Sequence, residues 1–328
     1  MADVLRWGLL STANINRAVI QPIQASNRHK LVAVASRDAA KARAYADQYQ
    51  IPRSHGSYEA LLADPEVDVI YNSLPNHLHA EWTIKACQAG KHVLSEKPFA
   101  LTLDEVDAIE AAARKAGVVV QEAFMYRHHP QTLKVKEILD QGILGRLRFA
   151  RGVFTFFLSE AENVRLKPEW GGGSLWDVGV YPISYIRTML GAMPESVSGT
   201  QVLGPTGVDI SFSGEMIFPN QVLGQFQCGF STNYHTSIEI LGENGSLTLL
   251  NPFKPYLDSE IILNRNDRQS ERIFVQGEDL YLGEVEDMAE CIIHGKTQRV
   301  SIEDSRQNTR VVLALLESAQ SGQPVKLK

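Results

Sequence analysis

Three side chains in this sequence have the types that together strip a proton from an alcohol. Asp177 and Tyr181 stand four residues apart in GGGSLWDVGVY (171–181), and Lys97 stands in Glu96-Lys97-Pro98, about eighty residues upstream. An acid, a phenol and an ammonium are what a hydroxyl needs to lose its proton while a cofactor accepts its hydride. The pattern implies a dehydrogenase.

Magnitudes divide the roles. A phenol titrates near pKa ~10, and lowering it by roughly two to three pH units takes about 3 to 4 kcal/mol. An ammonium ~4 Å from the phenol oxygen supplies about 4 kcal/mol at an effective dielectric of 20. Lys97 therefore suffices to activate Tyr181, whereas a charged Asp177 beside the phenol would oppose ionisation. Asp177 is better cast as the group that orients Lys97 or accepts a bond from a substrate hydroxyl. The inverted assignment, with Lys97 as proton carrier, stays open.

These residues need elements to hold them. A helix from about Asp177 would place Asp177 and Tyr181 on one face and Ile183, Ile186 and Leu190 on another, ending at Gly191. Pro182 is tolerated only in the first turn of that helix. Gly171-Gly172-Gly173 would let the backbone pass close to a ligand. Lys97 follows a strand-like run, and strand C-termini of a doubly wound sheet open onto its ligand crevice.

That sheet is legible upstream. Val4 to Leu10, Leu31 to Ala35, Val67 to Ser73, His92 to Ser95 and Val118 to Gln121 are apolar runs separated by helical patterns, the rhythm of a parallel sheet. Leu78, Trp82, Ala86 and Ala89 recur at helical spacing before Gly90. Thr102 to Glu105 reads as a capping box opening a helix that stops at Gly117. After residue 125 the rhythm changes. Val222, Gly224, Phe226, Cys228 and Phe230 alternate at a period of two, and Asn244-Gly245 signals a hairpin. Helices are expected around Val285 to Ile293 and Glu303 to Ser321. The expected fold is α/β: an N-terminal Rossmann-like doubly wound parallel sheet over 1–124 and an α+β substrate-binding and dimerisation domain with a large, mainly antiparallel sheet over 125–328.

A dinucleotide fingerprint belongs after the first strand, and a degraded one stands there: Gly8, then Ser11, Thr12, Ala13, Asn14 and Ile15, with Asn16 where the last glycine would fall. Ser11 and Ala13 are small enough for backbone amides to approach a pyrophosphate at the next helix N-terminus. At the end of the second strand, Ser36 and Arg37 precede Asp38. A guanidinium pairs with a 2′-phosphate that an acid would repel, so NADP is favoured and Asp38 keeps NAD as the alternative.

Bulk properties narrow the rest. The 328 residues are 44 % hydrophobic with a formal charge of −6, enough chain for two filled domains and no basic face for nucleic acid. No window reads as a signal peptide or a membrane span, and Cys87, Cys228 and Cys291 read as reduced thiols, so the expected location is the cytoplasm. His77 with His79, and His128 with His129, lack the spacing of a metal site, so no metal is expected.

The combination of Leu74-Pro75-Asn76-His77 with His79, Glu96-Lys97-Pro98, Glu122 to Pro130 (EAFMYRHHP), Asn163-Val164-Arg165 and GGGSLWDVGVYP resembles the Gfo/Idh/MocA oxidoreductases. With tyrosine at 181, it looks closest to the branch of dihydrodiol dehydrogenases, NADP-dependent D-xylose dehydrogenases and keto-sugar reductases. The resemblance implies that Lys97, Asp177 and Tyr181 surround the nicotinamide and the substrate carbon. It implies that Leu74, Pro75, Asn76, His79, Glu96 and Lys97 flank the cofactor and that Tyr126 and Arg165 reach the substrate. It also implies a homodimer or higher oligomer built through the C-terminal sheet. The expected activity is oxidation of a sugar-like or diol hydroxyl. The alternatives are keto-sugar or dicarbonyl reduction, and an NADP-sensing binding protein without turnover.

Overall fold

The computed structural model describes residues 4–160, 162–266 and 270–327. The chain forms two compact units, Met1–Met125 with Tyr281–Arg306, and Tyr126–Leu280 with Gln307–Lys328.

In the first unit, β1 (Leu5–Leu9), α1 (Asn16–Ala25), β2 (His29–Ala35), α2 (Ala39–Tyr49), β3 (Arg53–His55), α3 (Tyr58–Leu62), β4 (Val69–Asn72), α4 (His79–Gln88), β5 (His92–Glu96), α5 (Leu103–Ala116) and β6 (Val120–Ala123) alternate. The strands make one six-stranded sheet in the order β3-β2-β1-β4-β5-β6, with parallel pairing throughout. Five of these strands are apolar runs in sequence. The sixth, β3, has three half-buried residues and no hydropathy signal. The capping box forms as the sequence implies: Glu105 N–H donates to Thr102 Oγ1 at 3.2 Å and Thr102 N–H to Glu105 Oε2 at 3.1 Å.

The second unit holds α6 (Pro130–Asp140), β7 (Leu147–Phe157), α7 (Val180–Leu190), β8 (Ser196–Leu203), β9 (Asp209–Phe218), β10 (Val222–Gly229), β11 (Ser231–Gly242), β12 (Gly245–Leu250), β13 (Asp258–Arg265) and β14 (Ser270–Gln276). With the C-terminal β15 (Val325–Lys326), these strands form a nine-stranded sheet in the order β14-β13-β12-β11-β7-β10-β9-β8-β15. Among the described pairings only β7 with β10 is parallel. Asn244-Gly245 does turn the β11–β12 hairpin.

The remaining helices are α8 (Leu282–His294) and α9 (Ile302–Ser321). From sequence, α8 is expected to close the C-terminal domain. Instead Val285, Met288 and Ala289 are fully buried in one cluster with Trp7, Val19, Val69 and Leu94, on a face of the parallel sheet. A parallel sheet must cover both faces with helices, and an amphipathic stripe carries no label for the sheet it covers.

Candidate active site

In the second unit, the chain turns into α7 through a π-helical segment, Leu175–Gly179, where sequence spacing predicts an α-helix beginning near Asp177. Such wide turns widen the spacing of side chains and recur at functional sites. The segment is held at its start by Asp209, a residue sequence reasoning missed. This buried carboxylate accepts from Ser174 Oγ at 2.6 Å and from Leu175 N–H at 2.8 Å. No motif marks it, because it lies on β9, more than thirty residues downstream.

Asp209 also explains part of the glycine run. Gly173 has φ +116°, and a Cβ there would lie 2.1 Å from Asp209 Oδ1. A Cβ on Gly172 would lie 2.6 Å from the Arg165 carbonyl oxygen. The space that the sequence reading assigned to a ligand beside these two glycines is therefore filled by protein atoms. The close approach has a use, because Gly173 N–H donates to Arg165 O at 2.9 Å and folds the 163–166 segment towards Asp177. Arg165 Nε then donates to Asp177 Oδ2 at 2.6 Å. Sequence casts Asp177 as a partner of Lys97 or of substrate; within its own unit it pairs with Arg165. The Asp177 carboxylate, then Tyr181 and Glu160, hold the Arg165 guanidinium above its ordinary value against the opposing effect of burial.

Tyr181 is 5 % exposed in an aromatic shell, its ring centroid 5.3 Å from that of Phe154, 5.8 Å from Phe253 and 5.9 Å from Tyr126. Tyr126 is expected to reach the substrate, but it is fully buried and stacks on Tyr185 at 5.5 Å. Its ring packs against the Tyr181 ring. Phe154, Tyr185 and Phe253 come from three distant segments, so no local pattern announces the shell. Gly152 on β7 lets α7 sit close, since a Cβ there would lie 2.7 Å from Pro182 Cβ and 2.8 Å from Ile238 Cδ1.

In the first unit, half-buried Lys97 follows β5 directly. Glu96 Oε2 accepts from Lys97 N–H at 3.2 Å, and Tyr71 Oη donates to Glu96 Oε1. Glu96, expected to flank a cofactor, thus has both carboxylate oxygens on protein donors. His79 is also expected there, but it is 1 % exposed, with Nδ1 2.7 Å from the Pro98 carbonyl oxygen and Nε2 2.6 Å from that of Leu74. Burial outweighs these two acceptors and pushes the ring down to about 4, so a neutral His79 donates to one carbonyl and braces the two loops from inside. Leu74 is buried, while Pro75 and Asn76 are half-buried at the end of β4.

The β1–α1 turn is shaped by side chains in place of glycines. Ser11 Oγ accepts from Ala13 N–H at 3.0 Å and lies 2.8 Å from Ser73 Oγ, and Asn16 Nδ2 donates to Ser11 O at 2.8 Å. Thr12, Ala13 and Ile15 are half-buried and Asn14 is exposed. Ile15 gives α1 no side-chain cap, so this helix N-terminus keeps the donor character that suits a pyrophosphate. Gly8 is different: a Cβ would lie 3.0 Å from Leu61 and from Val67 side-chain carbons, so this glycine serves core packing in mid-strand rather than the turn. At the end of β2, Asp38 Oδ1 accepts from Ala40 N–H at 2.9 Å and Lys41 N–H at 3.1 Å as the cap of α2. Ser36 is buried and Arg37 exposed beside it. These groups fit a dinucleotide.

Comparison with known proteins gives the family. Residues 5–124 match the oxidoreductase family with an NAD-binding Rossmann fold, and residues 132–248 match the GFO/IDH/MocA C-terminal domain. The chain is 36 % identical to a D-xylose 1-dehydrogenase (NADP(+)) of Haloferax volcanii, over 98 % of this chain and all of the relative. It is 35 % identical to the mouse trans-1,2-dihydrobenzene-1,2-diol dehydrogenase over 79 % of this chain and 78 % of the relative. The crystal structure of a 3-ketoreductase from Actinomadura kijaniata, in complex with NADP and TDP-benzene, superposes with a TM-score of 0.90 at 29 % identity, covering 96 % of this chain and 98 % of that one. With both domain signatures in order, the chain belongs to the Gfo/Idh/MocA oxidoreductase family.

Proposed function

We propose that this protein is an NADP-dependent oxidoreductase that moves a hydride between the nicotinamide and a hydroxyl-bearing carbon of an aldose such as D-xylose, or of a dihydrodiol. The observation that carries the chemistry is the 165–181 segment, where Tyr181 sits in an apolar aromatic shell beside the Arg165–Asp177 pair. Preference for the 2′-phosphate follows from Asp38, whose carboxylate caps α2 and leaves Arg37 as the charged group offered at the end of β2. The relatives named for D-xylose and for dihydrobenzenediol support the substrate class.

The nicotinamide supplies the hydride acceptor. Tyr181 takes the hydroxyl proton, and Lys97 is the cation assigned to the negative charge that develops in the reaction. Asp177, held by Arg165, accepts a second substrate hydroxyl. Ser11 to Ile15 would hold the pyrophosphate at the α1 N-terminus, and Pro75 and Asn76 would line the nicotinamide end of the site. A keto-sugar reductase, running the same step in reverse, is the second reading, favoured by the likeness to the 3-ketoreductase. The exposed face of the nine-stranded sheet, where Val202, Ile217 and Leu223 stand among Thr200, Glu215, Gln225 and Gln227, suits pairing with a second copy in the cytoplasm, which sedimentation of the purified protein tests.

Steady-state rates with NADP and NAD across aldoses, polyols, diols and keto sugars test the assignment. Turnover should require NADP, and Lys97→Met and Tyr181→Phe should each lower kcat by about 10²- to 10⁴-fold while NADPH still binds. NADPH binding without turnover on any substrate would instead identify a cofactor-sensing protein.

A further inference from the structure

We propose that Tyr71 is a positioning residue for Lys97, acting through the Glu96 carboxylate. The inference rests on the assignment of Lys97 above.

Tyr71 lies on β4, which pairs in parallel with β5, the strand that leads into Lys97. Its side chain is fully buried in the cluster that contains Trp7, Leu9, Leu94 and Val285. A phenylalanine would fill that apolar volume, so packing does not account for the hydroxyl. What the hydroxyl does is donate to Glu96 Oε1, while the other oxygen of the same carboxylate accepts from Lys97 N–H at 3.2 Å. Bonds to an ionised acceptor are stronger and more directional than neutral ones. Downstream the loop is gripped again, with Phe99 N–H donating to Glu122 Oε1 at 2.9 Å and the Pro98 carbonyl against His79. The backbone is thus fixed on both sides of the residue whose ammonium does the work.

The donor is also dependable. Burial first, then the charges of Glu96 and Glu284 and the neighbouring Tyr281, hold the Tyr71 phenol well above its ordinary value. It stays protonated across any working pH. The carboxylate of Glu96 therefore always has one oxygen fixed by the sheet core, and the other is left to hold the lysine peptide.

The test uses the full chain with NADP and the best substrate of the panel above. Tyr71→Phe should lower kcat by about tenfold or more, in line with the cost of misplacing a reacting group, with NADPH affinity and melting temperature near wild type. In a Glu96→Gln background the same substitution should add little, because both act along one path. Amide exchange of Lys97 in the NADPH-bound protein should speed up in Tyr71→Phe. That last readout needs no turnover, so it decides the point even if the wild type proves inactive and the functional reading falls. Unchanged kcat together with unchanged Lys97 exchange overturns the proposal. So does a loss of kcat matched by an equal loss of NADPH affinity and stability.

Discussion

Arg165 Nε and Asp177 Oδ2 lie 2.6 Å apart, and the pair stands next to the phenol proposed to move the proton. The guanidinium and the carboxylate act on that phenol with opposite sign. Removing the negative member, as in Asp177→Asn, leaves the positive field of Arg165 less offset. The limb of the kcat/KM profile on which the base loses its proton should then move to lower pH, and kcat/KM at its plateau should fall by about ten- to hundredfold as the substrate loses its orienting acceptor. Arg165→Leu should move the same limb to higher pH. Shifts in the same direction for both variants, or in neither, would remove the pair from the electrostatics of the base.

Arg37, exposed at the end of β2, is the residue proposed to set cofactor choice. A charge-assisted bond to the 2′-phosphate is worth about 1.5 to 3 kcal/mol, so Arg37→Ala should raise KM for NADP by roughly ten- to hundredfold. The constant for NAD should change little, since the ribose hydroxyls do not need this cation. Competition between the two cofactors under steady-state conditions measures the ratio directly.

Gly152 predicts a coupling between sheet packing and rate. A methyl at this position meets Pro182 Cβ at 2.7 Å and Ile238 Cδ1 at 2.8 Å, and Pro182 follows Tyr181 directly. Relief requires α7 to lift from β7. Gly152→Ala should cost about 1 to 3 kcal/mol of stability, lowering the melting temperature by several degrees. It should reduce kcat more than NADPH affinity, because the displaced helix carries the proposed base and not the dinucleotide turn.

His79 predicts an acid-labile first unit. Its folded value, about 4, lies below the ordinary 6.5, so the fold prefers the neutral ring. The stability this represents is complete above pH ~6.5 and is lost as pH falls towards about 4, where the unfolded chain has bound a proton that the folded chain excludes. For one fully buried ring the loss amounts to roughly 3 kcal/mol. Urea unfolding at pH 7, 6, 5 and 4 should show this slope in wild type and a shallower one in His79→Gln. Equal slopes would mean that His79 does not set the acid limit.

The parallel sheet and part of the nine-stranded sheet are legible in the sequence, for reasons that differ by element. The β1, β2, β4, β5 and β6 strands are buried on both faces and read as continuous apolar runs, and β10 is half-buried and reads as an alternation. The three residues of β3 carry neither signal and are recruited by the edge of β2. Lys97, Asp177 and Tyr181 stand out as candidates because a lysine precedes a proline at a strand end, and an acid and a phenol stand four residues apart after a glycine run. Asp209 does not, since an isolated aspartate on a strand announces nothing until its oxygen is found on Ser174 and Leu175.

The chain by itself determined the periodicities, the caps, the breaks at glycine and the chemical types available at 97, 177 and 181, all of which depend on near neighbours in sequence. Only the tertiary structure decided that α8 returns to the parallel sheet, that the third glycine of the run yields to Asp209, that Arg165 takes Asp177, and that Tyr126, His79 and Gly8 serve the interior. Those outcomes follow from close packing and from the need of every buried polar group for a partner. Such conditions bind residues far apart in the chain, so no local window contains them.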